Sequence, residues 1–232
     1  MGSILRAARA SAILAFGLAP GAACGRMGFD EVAGATAPLF ADGFEGTLTP
    51  WIANGGVDVS GGPPAPTEGA AILLAQAGSA MTARAEVDLG APVTSGPLFV
   101  RAYYYLPSGY AVTDLSVLEL HQPGQANMVL VNSPQVGLYT AIDARGGGRG
   151  AFALPRDTWT CVEILADIED APDGTWEVWV DGVLAMSISG LDTFAGGVNR
   201  ITIGITWAGA GQEPSTVYSD SVVVSRSPIG CL

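Results

Sequence analysis

From about Phe40 onward the chain reads as strand, turn, strand, with polar and apolar positions alternating along the runs. PLFVRAYYYL (97–106) sets Val100, Ala102 and Tyr104 against Arg101, Tyr103 and Tyr105. Runs of the same kind follow: SVLELH (116–121), NMVLV (127–131), GLYTAI (137–142), TCVEILADI (160–168), WEVWV (176–180), LAMSIS (184–189), RITIGITW (200–207) and VYSDSVVV (217–224). Alternating β-branched and aromatic residues are the mark of half-buried strands. The runs are punctuated by SGP, QPGQ, NSPQ, RGGGRG, APDG and AGAGQEP, whose Gly, Pro, Asn and Asp supply turn conformations. Asp181-Gly182 between two runs predicts a two-residue hairpin, because both positions of a type I′ turn need positive φ. No amphipathic run of helical period reaches twelve residues. The pattern predicts an all-β chain whose strands, roughly ten or more, form one sandwich of two antiparallel sheets, a jelly roll. GGGRG (146–150) lacks the Lys-Ser/Thr ending of a phosphate loop and reads as a turn.

The first residues follow a different rule. Arg6 and Arg9 precede an apolar stretch, Ala10 to Ala19, too short to span a bilayer as a helix. Pro20 and Gly21 break it, and Ala22 and Ala23 precede Cys24. This is the layout of a secretory signal peptide over 1–23. GAAC resembles a bacterial lipobox, which would make Cys24 the lipidated first residue of a membrane-anchored envelope lipoprotein; ordinary cleavage after an Ala-x-Ala-like site is the alternative. Residues 24–39 have no clear period and read as a tether, leaving 40–232 as the single domain.

Composition narrows the function. Hydrophobic residues make up 49% and charged residues 14%, which excludes charge-driven disorder. The net charge is -12, and loss of the leader removes two arginines and no acid, giving -14. Such a surface argues against nucleic acid as a partner. A single histidine excludes zinc sites built on two or more.

Three cysteines survive export, and lipidation of Cys24 would leave Cys161 and Cys231. Thiols pair in an oxidising compartment. Cys161 points away from the core set Val162, Ile164 and Ala166, and the tail SRSPIGCL has Pro and Gly to fold back over the sheet. A Cys161–Cys231 disulfide is therefore expected.

Several stretches resemble concanavalin A-like jelly rolls of the laminin-G or glucanase type. DGFEGTLTPW (42–51) is similar to their first strand, LPRDTWTCVEILADI with GTWEVWVDG to a central strand pair, and RITIGIT with VYSDSVVVSRSPIGC to the closing strands. The resemblance covers Phe40 to Leu232 and implies the fold, while the fold itself hosts lectins, glucanases, lyases and adhesion modules. It also implies a structural Ca²⁺ between first and last strands, with Asp42, Glu45 and Asp220 as candidate ligands.

Three functions stay open. VEILADIED offers Glu163 and Asp167 on one strand face, but not the alternating carboxylates of a retaining glucanase, and a solvated outer face is the expectation there. In VLELHQ, Glu119 and His121 share a face opposite Leu118 and Leu120. This resembles the Gln-Ile-His strand of jelly-roll alginate lyases, with Glu119 where that pattern has Gln. Arg84 and Glu86 in TARAEVDL form an Arg-x-Glu whose surroundings do not follow that family. The favoured expectation is a glycan-binding groove of Arg101, Tyr103, Tyr105, Glu119, His121 and Tyr139, in which rings stack on sugars and polar groups direct hydrogen bonds. The alternatives are a polysaccharide lyase and an adhesion module without catalysis.

Overall fold

The computed structural model describes residues 37–232 apart from 61, 68–71, 79, 110, 123–127, 134–136, 143–146, 150–151, 170–171 and 194–195; the side chains of 60, 72, 128–129, 131–133, 137–142 and 147–149 are also outside the description. The leader, the tether and Cys24 fall in the segment not described, so those expectations lie outside the described residues.

The described strands are β1 (Phe40–Asp42), β2 (Ile52–Asn54), β3 (Gly56–Ser60), β4 (Ile72–Ala77), β5 (Ala83–Val93), β6 (Gly96–Tyr105), β7 (Leu115–His121), β8 (Met128–Ser133), β9 (Gly137–Ile142), β10 (Gly147–Arg149), β11 (Trp159–Ile168), β12 (Gly174–Val180), β13 (Val183–Leu191), β14 (Val198–Ala208) and β15 (Ser215–Ser225). They form two antiparallel sheets. One runs β13-β12-β11-β6-β15-β4-β3, with β1 on β15, and the other runs β10-β9-β8-β7-β14-β5-β2. This is a jelly-roll sandwich, as the alternation predicts.

The inward residues are those the pattern selects. Leu98, Val100, Ala102 and Tyr104 of β6 meet Val162, Ile164, Ala166 and Ile168 of β11 and Trp176, Val178 and Val180 of β12 in one buried cluster. The facing sheet contributes Ala83, Ala85 and Val87, Leu118 and Leu120, and Ile201, Ile203 and Ile205. Between β12 and β13, Asp181 and Gly182 take φ of 48° and 77°, the predicted hairpin. Asp181 also accepts a hydrogen bond from Cys161 N at 2.9 Å, tying the turn to β11.

Three expectations need correction. DGFEGTLTPW is a strand only at Asp42. Beyond it Phe44 has φ 58°, Gly46 has φ 104° and Thr49-Pro50 is cis, so the stretch is a loop. GGGRG is not merely a turn, because Gly147–Arg149 pair with Tyr139–Ala141 as β10. Glu163 is not solvated: it is 6% exposed, beneath the C-terminal tail.

That tail is pinned by the expected disulfide, Cys161–Cys231, with Cα atoms 6.0 Å apart and 70 residues between them in sequence. Glu163 accepts hydrogen bonds from Ile229 N at 2.8 Å and Gly230 N at 2.7 Å. Arg101, opposite Glu163 in the ladder, donates to Gly230 O at 3.2 Å and Ser221 O at 3.3 Å. Leu232 N donates to the Tyr103 hydroxyl at 2.6 Å. Residues 229–232 thus lie over the outer face of β6 and β11.

Candidate functional site

Glu119 and His121 leave the core on β7 because Leu118 and Leu120 enter it. The register then fixes their neighbours. Glu119 stands opposite Thr202 and His121 opposite Arg200 on β14, and Thr202 stands opposite Glu86 on β5. Residues directly opposed in a ladder share a face, so these five side chains meet on the outer side of the seven-stranded sheet. Arg84, two residues before Glu86 on β5, has the same parity, and Asn54 of β2 lies opposite Arg84.

The group divides into two sets, one around Glu86 and one around His121. Glu86, only 7% exposed, forms an ion pair with Arg84, whose Nε lies 3.0 Å from one oxygen, and accepts a hydrogen bond from Arg200 at 3.0 Å on the other. Asn54 Nδ2 adds a bond at 3.4 Å. His121 Nε2 lies 2.7 Å from Thr202 Oγ1 and 3.6 Å from Glu119 Oε2. Burial holds the His121 imidazole below its ordinary value, with Glu119 and Glu86 pulling the other way and Arg200 and Arg84 reinforcing the drop. A neutral imidazole can accept a proton or a hydrogen bond. Two cations, two carboxylates, one imidazole and one hydroxyl form a surface able to hydrogen-bond sugar hydroxyls or a carboxylate.

The expected groove does not form as a unit. Glu119 and His121 are together, but Arg101, Tyr103 and Tyr105 lie on β6, in the other sheet. Arg101 is 1% exposed under the tail, and burial lowers its affinity for a proton. Tyr103 bonds the tail, and Tyr105 packs between Trp159 and Tyr218, with ring centroids 5.6 and 5.9 Å away. The alternation places all three outward, but β6 is followed in sequence by β7 of the opposite sheet, so neighbouring runs are not neighbouring strands. Tyr139 pairs with Val131 in the β8–β9 ladder, and its side chain is outside the described residues. Glu86, Arg200, Thr202 and Asn54 were not singled out as partners. Their available signals were the Arg-x-Glu at 84–86 and the alternation of Arg200 and Thr202 against Ile201 and Ile203.

The carboxylates expected at the first and last strands divide. Asp42 accepts from Phe44 N at 2.7 Å and Trp51 Nε1 at 2.8 Å. Asp220, 1% exposed, accepts from Ser221 N at 2.6 Å and Thr67 Oγ1 at 3.3 Å. Burial, with the charge of Glu45 adding to it, pushes Asp220 up to about 6. Gly43 separates these two acids: a Cβ there would lie 4.0 Å from both Asp220 Oδ1 and Glu45 Cγ. Among the described residues, no group of three or more His, Cys, Asp or Glu side chains is placed to hold a metal ion.

No protein-family model matches the sequence, and no curated protein sequence does. Solved structures do match the fold. The cellulose-induced protein Cip1 superposes with a TM-score of 0.64 at 19% identity, over 83% of this chain and 100% of that one. Endo-β-1,4-glucuronan lyase from the fungus Trichoderma reesei gives 0.63 at 12%, over 82% and 96%. The alginate lyase Aly36B gives 0.54 at 10%, over 82% and 98%. The chain therefore shares the concanavalin A-like jelly-roll fold of these structures, a distant likeness in fold to jelly-roll polysaccharide lyases.

Proposed function

We propose that the outer face of the seven-stranded sheet binds a polysaccharide. The observation that carries this is the convergence of two bonded sets, Arg84–Glu86–Arg200 and Glu119–His121–Thr202, from three adjacent strands onto one polar face. Similarity in fold to a glucuronan lyase and an alginate lyase supports a glycan containing uronate, whose carboxylate the two arginines suit. Calorimetric titration with glucuronan, alginate and neutral β-1,4-glucan oligosaccharides tests it. Saturable binding weakened at least tenfold by His121→Ala or Arg200→Ala is expected, and no heat with any of them refutes it.

A second reading, uronate β-elimination, is favoured by one feature: the imidazole of His121 is kept neutral beside two arginines. His121 would take the C5 proton while the C4–O4 bond breaks and the C4=C5 double bond forms, and the departing O4 takes a proton from solvent water. The ultraviolet absorbance of the unsaturated end tests it, and absorbance lost in His121→Ala would make the chain an enzyme.

Export fits a chain with a structural disulfide. Lipid anchoring at Cys24 is tested by the mass of the mature N-terminus, and an unmodified residue 24 refutes it. For calcium, the proposed donors are Glu45 and Asp220 with the hydroxyls of Thr67 and Ser221, which lie 2.8 Å apart, while Asp42 stays on Trp51. A melting temperature raised by calcium and restored by EDTA is expected, and no change refutes the site.

A further inference from the structure

Trp207 is 49% exposed, although the residues on either side of it, Thr206 and Ala208, are buried. An indole this exposed at the end of a strand otherwise buried on both sides of it calls for a physical reason. The ladder supplies its position. Val129 of β8 stands opposite Glu119, and Val131 stands opposite Ser116. Leu115 and Ala208, a paired position of β7 and β14, both lie in the buried core, so the adjacent residue Ser116 turns to the outer face that carries Glu119. Ser116 in turn stands opposite Trp207. The exposed indole therefore belongs to the polar face of Glu119, His121, Arg200 and Thr202, farther along the same two strands. On β8 the step from the Glu119 level to the Ser116 level is two residues, about 7 Å of strand.

The local backbone is shaped to put it there. Between Ile203 and Trp207 the register of β14 slips against β7. Gly204 opens this irregularity with φ 103°, and a Cβ there would fall 2.7 Å from Ala83 O, so no larger residue fits. Bulges re-aim side chains in this way. Thr206 is anchored by its hydroxyl, which donates to Ser116 Oγ at 2.6 Å. The ring itself is seated: a Cβ on Gly209 would lie 3.5 Å from Trp207 Cη2 and 3.3 Å from Asp114 Cβ, so the ring edge and Asp114 flank the same glycine. Asp114 is half-buried, and burial raises its carboxyl above the ordinary range.

We infer that Trp207 is a sugar-stacking subsite, and that the glycan lies along β7 and β14 from His121 to Trp207. This rests on the glycan-binding reading above. An exposed indole seated beside a carboxylate offers an apolar face for a pyranose ring with a polar group at its rim. The neighbouring polar cluster lies within the reach of a short oligosaccharide.

The test uses the intact chain with glucuronan, alginate and neutral β-1,4-glucan oligosaccharides, followed by calorimetry and by tryptophan emission. Trp51 and Trp176 are buried and Trp159 and Trp179 half-buried, so Trp207 is the most solvent-accessible of the described indoles. Wild type is expected to bind one of these probes with a change in emission. Trp207→Ala is expected to bind roughly tenfold more weakly. Trp207→Phe should keep most of the affinity and lose most of the emission change, and it guards against a folding defect in the alanine variant. Wild-type binding with unchanged affinity in both variants overturns the subsite and leaves the polar face standing. Absence of wild-type binding to every probe overturns both.

Discussion

The two sheets each turn a polar face away from the shared core, and both faces carry arginine and glutamate on adjacent strands. On the eight-stranded sheet, Arg101 and Glu163 stand opposite each other and are 1% and 6% exposed, because residues 229–232 lie across them. On the seven-stranded sheet, Glu86 pairs with Arg200 and His121 pairs with Glu119 and Thr202, side by side on one face, with no tail over them among the described contacts. The same alternation thus yields an internal docking surface in one place and an open binding face in the other. In the first, the ligand of the charged pair is the chain's own backbone. In the second, the polar groups hold each other in position for an outside partner. Alternation reports which side chains leave the core; what covers them afterwards depends on the path of a distant segment.

This contrast predicts a sharp separation between effects on stability and effects on binding. The largest stability effect belongs to the disulfide. Cys161→Ser with Cys231→Ser opens a loop closed across 70 residues, and the chain-entropy relation assigns that about 4 kcal/mol. Chemical denaturation should show the loss, while glycan affinity at low temperature stays within twofold.

Glu163→Ala comes next. It strands the amides of Ile229 and Gly230 and leaves Arg101 without its cross-strand carboxylate, a cost of about 3 kcal/mol. Hydrogen exchange should speed up at the tail amides and remain unchanged on β7. A stability change below 0.5 kcal/mol, about the level of an exposed pair, would mean the tail is only loosely held.

His121→Ala should behave in the opposite sense. Its neighbours are partly solvated ion pairs, so stability should move by no more than about 1 kcal/mol while binding is lost. The smallest effect is a pH slope. Burial holds His121 below its ordinary value of 6.5, against the pull of Glu119 and Glu86 and with Arg200 and Arg84 aiding the drop. Below that value the unfolded chain takes up a proton that the native chain resists. Stability from this group is therefore complete above pH 6.5 and declines as pH falls. His121→Asn should flatten that part of the profile.

Much of the fold was legible because β6, β7, β11, β12, β14 and β15 alternate strongly around β-branched and aromatic residues. The N-terminal strands were harder. ILLAQA of β4 and ARAEVDLGAPV of β5 are rich in alanine, a weak strand former that is kept here because Ala75, Ala83 and Ala85 fill tight core positions. The disulfide was legible from compartment and cysteine number. Half of the candidate site was legible on β7. Its partners on β5 and β14 were not, because strand order in a jelly roll departs from chain order, and Glu86 meets Glu119 only across Thr202. The exposure of Trp207 was not legible, since nothing in RITIGITW announces the register slip after Ile203.

The central claim is that the open face, and not the covered one, meets the glycan. Hydrogen–deuterium exchange with and without a saturating oligosaccharide, chosen from the probes by calorimetry, tests it directly. Protection is predicted on β5, β7 and β14, around Glu86, Glu119, His121 and Arg200, with no change on β6 or β11. Protection confined to β6, β11 and the tail, with β7 unaffected, would contradict it.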